Sequence, residues 1–177
     1  MKWSELSYDD NDFYIPYSEN QRVVRGYFLR TLGIDLENIP EDLFKPCLLY
    51  NPNGKKFSEY KSQKVFVWEV LGSSYADYAG DSWLMAFLKI KRAPAYIQNG
   101  DVTPNKYFWM LKRPIHKQNA PIKLTKARDG FYIDGNGNHR ITMYMMMYLA
   151  ALSKSNSYHR RELNRYWFYA KVRQELQ

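Results

Sequence analysis

Apolar residues recur at helical spacing in three stretches of the chain, and each stretch predicts a helix. The first follows a capping-box pattern at residues 18–21, and the second covers residues 82–91, with Asp81 as its expected cap. The third, residues 141–152, is apolar on both sides. We therefore expect this last helix to lie at the centre of the fold.

Alternation of apolar and polar residues predicts strands elsewhere. Residues 121–125 and 131–133 form two short runs of this kind, and residues 166–173 form a closing strand. In the closing strand Phe168, Ala170 and Val172 share one face, whereas Trp167 and Tyr169 share the other.

Other segments predict irregular or mixed structure. Residues 64–71 fit either a strand or a helical extension, and residues 94–105 predict a loop. Pro40 predicts a short helix through Phe44, and residues 51–54 predict a turn.

Together these elements predict an α+β fold in a single domain, residues 1–177. We expect a small mixed sheet packed against the central apolar helix, with a helical extension over about residues 1–60. A chain of 177 residues that is 45% hydrophobic and 25% charged is ordinary for one globular domain.

Cysteine content and apolar runs narrow the class of protein. The single cysteine, Cys47, excludes an intramolecular disulfide framework and is expected to be a buried, inert thiol. No basic and apolar leader opens the sequence, and no apolar run approaches the roughly 20 residues that span a bilayer. We therefore expect a cytoplasmic protein that does not bind or span a membrane.

Charge is distributed unevenly along the chain, whose net charge is +8. Residues 1–44 hold 9 acidic and 4 basic side chains, whereas residues 45–177 hold 9 acidic and 22 basic ones. The basic part favours an anionic partner, with DNA preferred, although a solvated lysine-rich surface would give the same composition. The acidic, aromatic amino-terminal region is a possible contact for a protein partner. The candidate nucleic-acid contacts are Lys112, Arg113, Lys126, Arg128, Arg160 and Arg161.

A glycine-rich turn between a predicted strand and the central helix carries the strongest chemical signal. Gly135 and Gly137 permit positive φ and leave the backbone open to a ligand, and Asn136 tolerates left-handed geometry. Asn138 is expected to cap the helix through its side-chain oxygen. The unpaired N–H groups at a helix start favour an anion, so the turn predicts a phosphate site.

Three charged or titratable residues complete this segment. Arg140 offers a forked donor for phosphate oxygens, and His139 can donate one hydrogen bond or shuttle a proton near neutral pH. Asp134 can hold a ribose hydroxyl, orient His139, ligate magnesium or close the turn. If the protein is an enzyme, His139 and Asp134 are the candidate catalytic residues.

The order of these residues resembles the ParB/sulfiredoxin-like superfamily, in particular the ParB N-terminal-like domain. The resembling motifs are Pro121-Ile122, Tyr132-Ile133-Asp134-Gly135 and His139-Arg140, within residues 115–152. The resemblance implies nucleotide or phosphate binding at the His-Arg turn. Members of the superfamily include CTP-dependent partition clamps, ATP-dependent sulfinic acid reductases and a free serine kinase. Here three residues, 136–138, lengthen the turn, and Asn138 stands where sulfiredoxins have a catalytic cysteine.

Three functions remain open from the sequence. The first is a phosphate-, nucleotide- or DNA-binding domain that uses Asp134, Gly135, Asn136, Gly137, Asn138, His139 and Arg140. The second is a phosphotransferase, NTPase or nuclease on the same scaffold, with a nucleoside triphosphate and magnesium as its cofactors. The third is an interaction or immunity-type protein without a ligand. The three histidines are not at metal-ligand spacing, so no metal site formed by the protein is expected.

Overall fold

A computed structural model describes residues 1–6, 19–110, 121–155 and 160–176. The α-helices in these residues are α1 (Glu19–Thr31), α2 (Trp83–Lys89), α3 (Lys106–Met110), α4 (Asn138–Lys154) and α5 (Arg160–Leu163). The strands are β1 (Pro46–Leu49), β2 (Lys56–Phe57), β3 (Lys61–Phe66), β4 (Val70–Ser73), β5 (Asp81–Ser82), β6 (Ala95–Gln98), β7 (Asp101–Pro104), β8 (Ile122–Lys126), β9 (Phe131–Ile133) and β10 (Trp167–Leu176).

The main sheet is mixed and has eight strands. Its order is β2-β10-β8-β9-β4-β1-β5, and β3 also pairs with β10. Strands β1, β4 and β9 run parallel to one another, and β8 runs parallel to β10. Strands β6 and β7 form a separate two-stranded sheet. The α+β class predicted from the sequence is confirmed.

Helix α4 supplies much of the buried core. Ten of its 17 residues are buried, among them Ile141, Met146 and Leu149. They belong to the same buried cluster as Phe168 and Val172 of β10. The alternation predicted for the closing strand is confirmed, because Phe168, Ala170 and Val172 are buried in this cluster while Tyr169 is exposed.

Cys47 lies in the core as predicted, with 1% of its surface exposed. Its Sγ donates to the backbone oxygen of Tyr78 at 3.2 Å. Burial raises the pKa of the thiol to about 12. The thiol is therefore protonated and unreactive near neutral pH.

Two local predictions are wrong. Asp81 does not cap α2; it lies in strand β5, and the Ser82 hydroxyl accepts the N–H of Met85 instead. Residues 94–105 are not a loop, because β6 and β7 form a hairpin. Its turn residues Asn99 and Gly100 have φ values of 53° and 85°, the conformation that an Asn-Gly pair favours in two-residue hairpins.

In the described part of the amino-terminal third, less of the chain is helical than the sequence predicts. Residues 46–57 contribute β1 and β2 to the main sheet instead of extending a helical region. The segment predicted from Pro40 is a short 3-10 helix, Glu41–Phe44. The ambiguous residues 64–71 divide into the end of β3, a 3-10 turn and the start of β4.

Candidate functional site

The glycine-rich turn lies at the end of the sheet where three parallel strands terminate. Strands β1, β4 and β9 all have their carboxyl ends there, and the turn joins β9 to α4. Open α/β sheets bind ligands outside the carboxyl ends of their strands. The segment 134–140, which we call the 134–140 turn, therefore lies at a position in the fold that favours ligand binding.

The backbone of the turn has the geometry expected of its glycines. Gly135 and Gly137 adopt φ values of 101° and 135°. A Cβ atom at Gly137 would lie 3.0 Å from Cγ2 of Ile122, so the turn passes close to the start of β8. The N–H of Lys123 donates to the backbone oxygen of Asn136 at 2.9 Å and fixes the turn against that strand.

The predicted cap at Asn138 is wrong. Gly137 occupies the cap position, and Asn138 is the first residue of α4. The Asn138 side chain is buried instead, where its Oδ1 accepts the hydroxyl of Ser73 at 2.8 Å. Asn138 thereby joins the helix start to the end of β4.

His139 lies beside a group of cations. Its Nε2 accepts the backbone N–H of Lys91 at 3.1 Å, and its ring meets that of Tyr78 at a centroid distance of 5.6 Å. Burial, together with the positive charges of Arg92, Lys91 and Arg25, lowers the pKa of His139 to about 4. The imidazole is therefore neutral near pH 7. Of the two roles predicted for His139, this state favours the hydrogen-bond donor over the proton shuttle.

Arg140 lies in the first turn of α4 and is 8% exposed. Burial lowers the pKa of its guanidinium from the ordinary value. Arginine keeps its charge at any physiological pH, so Arg140 adds a positive charge close to the positive end of the helix dipole.

Asp134 is held by residues other than His139. Its Oδ2 pairs with Nη2 of Arg173 at 2.6 Å and accepts the hydroxyls of Thr125 and Tyr60 at 2.9 and 3.0 Å. The Arg173 guanidinium also lies 3.9 Å from the ring centroid of Phe57. These contacts tie the end of β9 to β8 and β10, and none of them involves His139.

Two of the predicted nucleic-acid contacts, Lys126 and Arg128, lie away from the turn. Lys126 is the last residue of β8 and Arg128 follows it. Both therefore lie at the opposite end of the strands from the 134–140 turn. Arg128 lines a separate cavity of about 340 Å³ together with Glu69 and Asp129. Arg160 and Arg161 begin α5, and Lys112 and Arg113 lie outside the described residues, as do residues 7–18 of the acidic amino-terminal region.

Several residues around the turn were not predicted from the sequence. Ser73, Lys91, Arg92 and Arg173 come from other elements, and no local pattern connects them to the motif. Only the folded sheet brings them to this end of the strands.

The described residues contain no group of three or more His, Cys, Asp or Glu side chains placed to hold a metal ion. Among the described helices, none has the length and apolar character needed to cross a bilayer.

Comparisons with protein-family models, with curated proteins and with solved structures find no match to this chain.

Proposed function

We propose that this protein binds a phosphate-bearing ligand of the nucleotide class at the 134–140 turn. The observation that carries the proposal is the convergence of positive charge at the start of a 17-residue helix. Lys91, Arg92 and Arg25 lie close enough to His139 to lower its pKa, and Arg140 adds another charge one residue later. A helix start and neighbouring cations both favour a bound anion.

The neutral state of His139 defines how it would contribute. Because Nε2 accepts the N–H of Lys91, a neutral ring carries its proton on Nδ1. The side chain therefore has one N–H to donate to a phosphate oxygen. In this role His139 selects an acceptor without transferring a proton.

The resemblance to the ParB/sulfiredoxin-like superfamily supports the same ligand class, and we propose membership of that superfamily on the motif alone. A nucleoside triphosphate with magnesium is the first ligand to test, since its own phosphates can hold the ion. DNA binding at the turn receives less support, because Lys126 and Arg128 lie at the opposite end of the strands.

The enzyme alternative is the weaker candidate. A histidine with a pKa of about 4 is a poor acid or base at neutral pH, and the Asp134 carboxylate is already paired with Arg173. Incubation with each nucleotide and magnesium, followed by chromatography of the products, separates binding from turnover.

The proposal is tested by thermal unfolding with ATP, CTP, GTP or UTP, with and without magnesium. At a concentration of about 100 times Kd, a ligand adds about 2.7 kcal/mol to the free energy of unfolding. For a chain of this length that corresponds to a rise in Tm of about 5–10 °C.

A matched pair of double variants locates the binding site. K91A/R92A removes two positive charges beside His139, whereas K126A/R128A removes two at the opposite end of the strands. We expect the first pair to reduce the nucleotide-induced rise in Tm and the second to leave it unchanged. Absence of a rise with all four nucleotides, or equal loss in both double variants, contradicts the proposal.

A further inference from the structure

Around β10, one face of the main sheet carries aromatic and basic side chains. Side chains on this face alternate with the buried ones of β10, and their neighbours on β3 and β8 follow the strand register. We call this surface the outer face; its members are Lys64, Phe66, Lys123, Trp167, Tyr169 and Lys171.

Tyr169 brings an exposed aromatic ring to the middle of the sheet, whereas Phe66 and Trp167 beside it are half-buried. Tyr169 is 55% exposed although β10 is paired on both sides. Its ring meets that of Trp167 edge to face, with centroids 5.7 Å apart. A large aromatic ring exposed on an interior strand offers stacking surface to a partner.

The basic part of the outer face is not neutralised by nearby acids. In the described part of the chain, none of Lys64, Lys123 and Lys171 takes part in an ion pair. Three carboxylates beside these strands are already engaged: Asp134 pairs with Arg173, Glu175 pairs with Lys55, and Glu69 accepts the backbone N–H of Phe66. The face therefore complements a negatively charged partner.

Register places the charges on both sides of the exposed tyrosine. Lys64 is the direct cross-strand partner of Tyr169, and Lys171 is the partner of Lys123 on the other side of β10. Neighbouring strands lie about 4.8 Å apart, and two residues along a strand advance about 7 Å. Rings and cations therefore alternate over a distance of a few nucleotides.

We propose that the outer face binds single-stranded nucleic acid. Bases stack on Tyr169 and Trp167, and the three lysines contact the phosphates. Unpaired bases have exposed π faces, whereas the bases of a duplex are stacked on each other, so aromatic platforms of this kind select single strands. The proposal does not depend on nucleotide binding at the 134–140 turn.

Base stacking is strong enough to displace the contact that Lys64 makes with a ring. The Nζ atom of Lys64 lies 4.4 Å from the ring centroid of Trp167. An exposed cation–π contact changes an equilibrium about two- to fivefold, whereas stacking of one base changes affinity about five- to 150-fold. A single-stranded nucleic acid therefore offers Trp167 a base and Lys64 a phosphate, and each is a better partner than the contact between these two side chains.

The test is a fluorescence anisotropy titration of the full chain with labelled 20-nucleotide oligothymidylate, the corresponding oligouridylate and a mixed-sequence 20-base-pair duplex. We expect at least one single strand to bind more tightly than the duplex. Tyr169→Ala should weaken that binding about fivefold or more, whereas Tyr169→Phe should stay within about twofold of the unmodified chain. Lys171→Ala should reduce the slope of log affinity against log salt by about 0.7.

Tyr96→Ala is the matched control, because Tyr96 is 46% exposed on β6 and lies outside the outer face. Its affinity for the single strand should not change. The proposal is overturned if neither single strand binds, if the duplex binds equally well, or if Tyr169→Ala behaves like Tyr96→Ala. Equal competition by polyglutamate also overturns it, because the surface would then recognise charge alone. Thermal melting of each variant shows that the fold is intact.

Discussion

His139 shows how the surroundings of one residue decide its chemistry. A histidine before an arginine at a helix start predicts either a donor or a proton shuttle. In the folded chain burial and three cations hold its pKa near 4, so only the donor role is left near neutral pH. The deciding cations belong to α1 and to the segment after α2, and no local pattern around residue 139 reveals them.

The lowered pKa of His139 predicts a dependence of stability on pH. The unfolded chain takes up a proton on this histidine near pH 6.5, whereas the folded chain does so near pH 4. The free energy of unfolding should therefore fall as the pH decreases from 6.5 to 4, by about 2 kcal/mol after solvent screening at a half-buried position. Urea unfolding at half-unit pH steps measures this change.

His139→Gln removes the titrating group and serves as the comparison for that experiment. Its pH profile should be flatter than that of the unmodified chain between pH 6.5 and 4. Two superimposable profiles would contradict the lowered pKa.

The backbone conformation of the glycines in the 134–140 turn could be predicted from the sequence, but the partners of its side chains could not. Both glycines have the positive φ expected of them. The sequence predicts a cap at Asn138, yet its side chain binds Ser73, which is 65 residues earlier in the chain. Contacts over such distances depend on which strands become neighbours.

Elements whose apolar pattern extends over many residues could be predicted more successfully than short elements. Helices α1 and α4 follow clear helical spacing over several turns. The β6–β7 hairpin has only four residues in each strand, too few for alternation to stand out, although its Asn99-Gly100 turn is a recognised signal. Short elements of this kind owe their structure to the turn and to packing.

The parallel pair β1–β4 leads to a prediction about Gly72. A Cβ atom at this position would lie 1.8 Å from the backbone oxygen of Leu48, on the neighbouring strand. Since neither backbone can move without breaking the pair, we expect Gly72→Ala to cost more than about 4 kcal/mol or to prevent folding. Circular dichroism and urea unfolding measure the loss.

Gly80→Ala is the control for that substitution. Gly80 has a φ of 97°, and a Cβ atom there would have no neighbour within 4 Å. Its cost should be limited to backbone strain of about 1–2 kcal/mol. Equal destabilisation by the two substitutions would show that the strand contact is not the cause.

At the scale of the molecule, one buried cluster connects helices α1, α2 and α4 with the main sheet. Arg25 of α1 also donates to the backbone oxygens of Phe87 and Ile90 at the end of α2. We therefore expect the chain to unfold as a single cooperative unit, as one domain requires. Urea transitions followed by far-ultraviolet circular dichroism and by tryptophan fluorescence should have the same midpoint.

Separate midpoints would mean that part of the chain unfolds by itself and would contradict the single-domain prediction. Trp3 and Trp167 lie in different parts of the structure, so substitution of either by Phe identifies the region that each fluorescence change reports.

The α+β class could be predicted from composition and periodicity, whereas the strand order could not. Parallel neighbours such as β4 and β9 are separated by about 60 residues, and their pairing leaves no periodic trace in either strand. The outer face went unrecognised for a related reason. Alternation separated Trp167 and Tyr169 from the core side of β10, but only strand order places Lys64 and Lys123 beside them.

The inaccessible sulfur atom at position 47 has a practical consequence for spectroscopy. A maleimide dye needs an ionised thiol within its reach, and the native protein offers none while it stays folded. A cysteine engineered at a solvent-facing site would therefore be labelled selectively without prior removal of the natural one. Distances between such a dye and a bound oligonucleotide could then be measured by energy transfer in the otherwise unaltered chain.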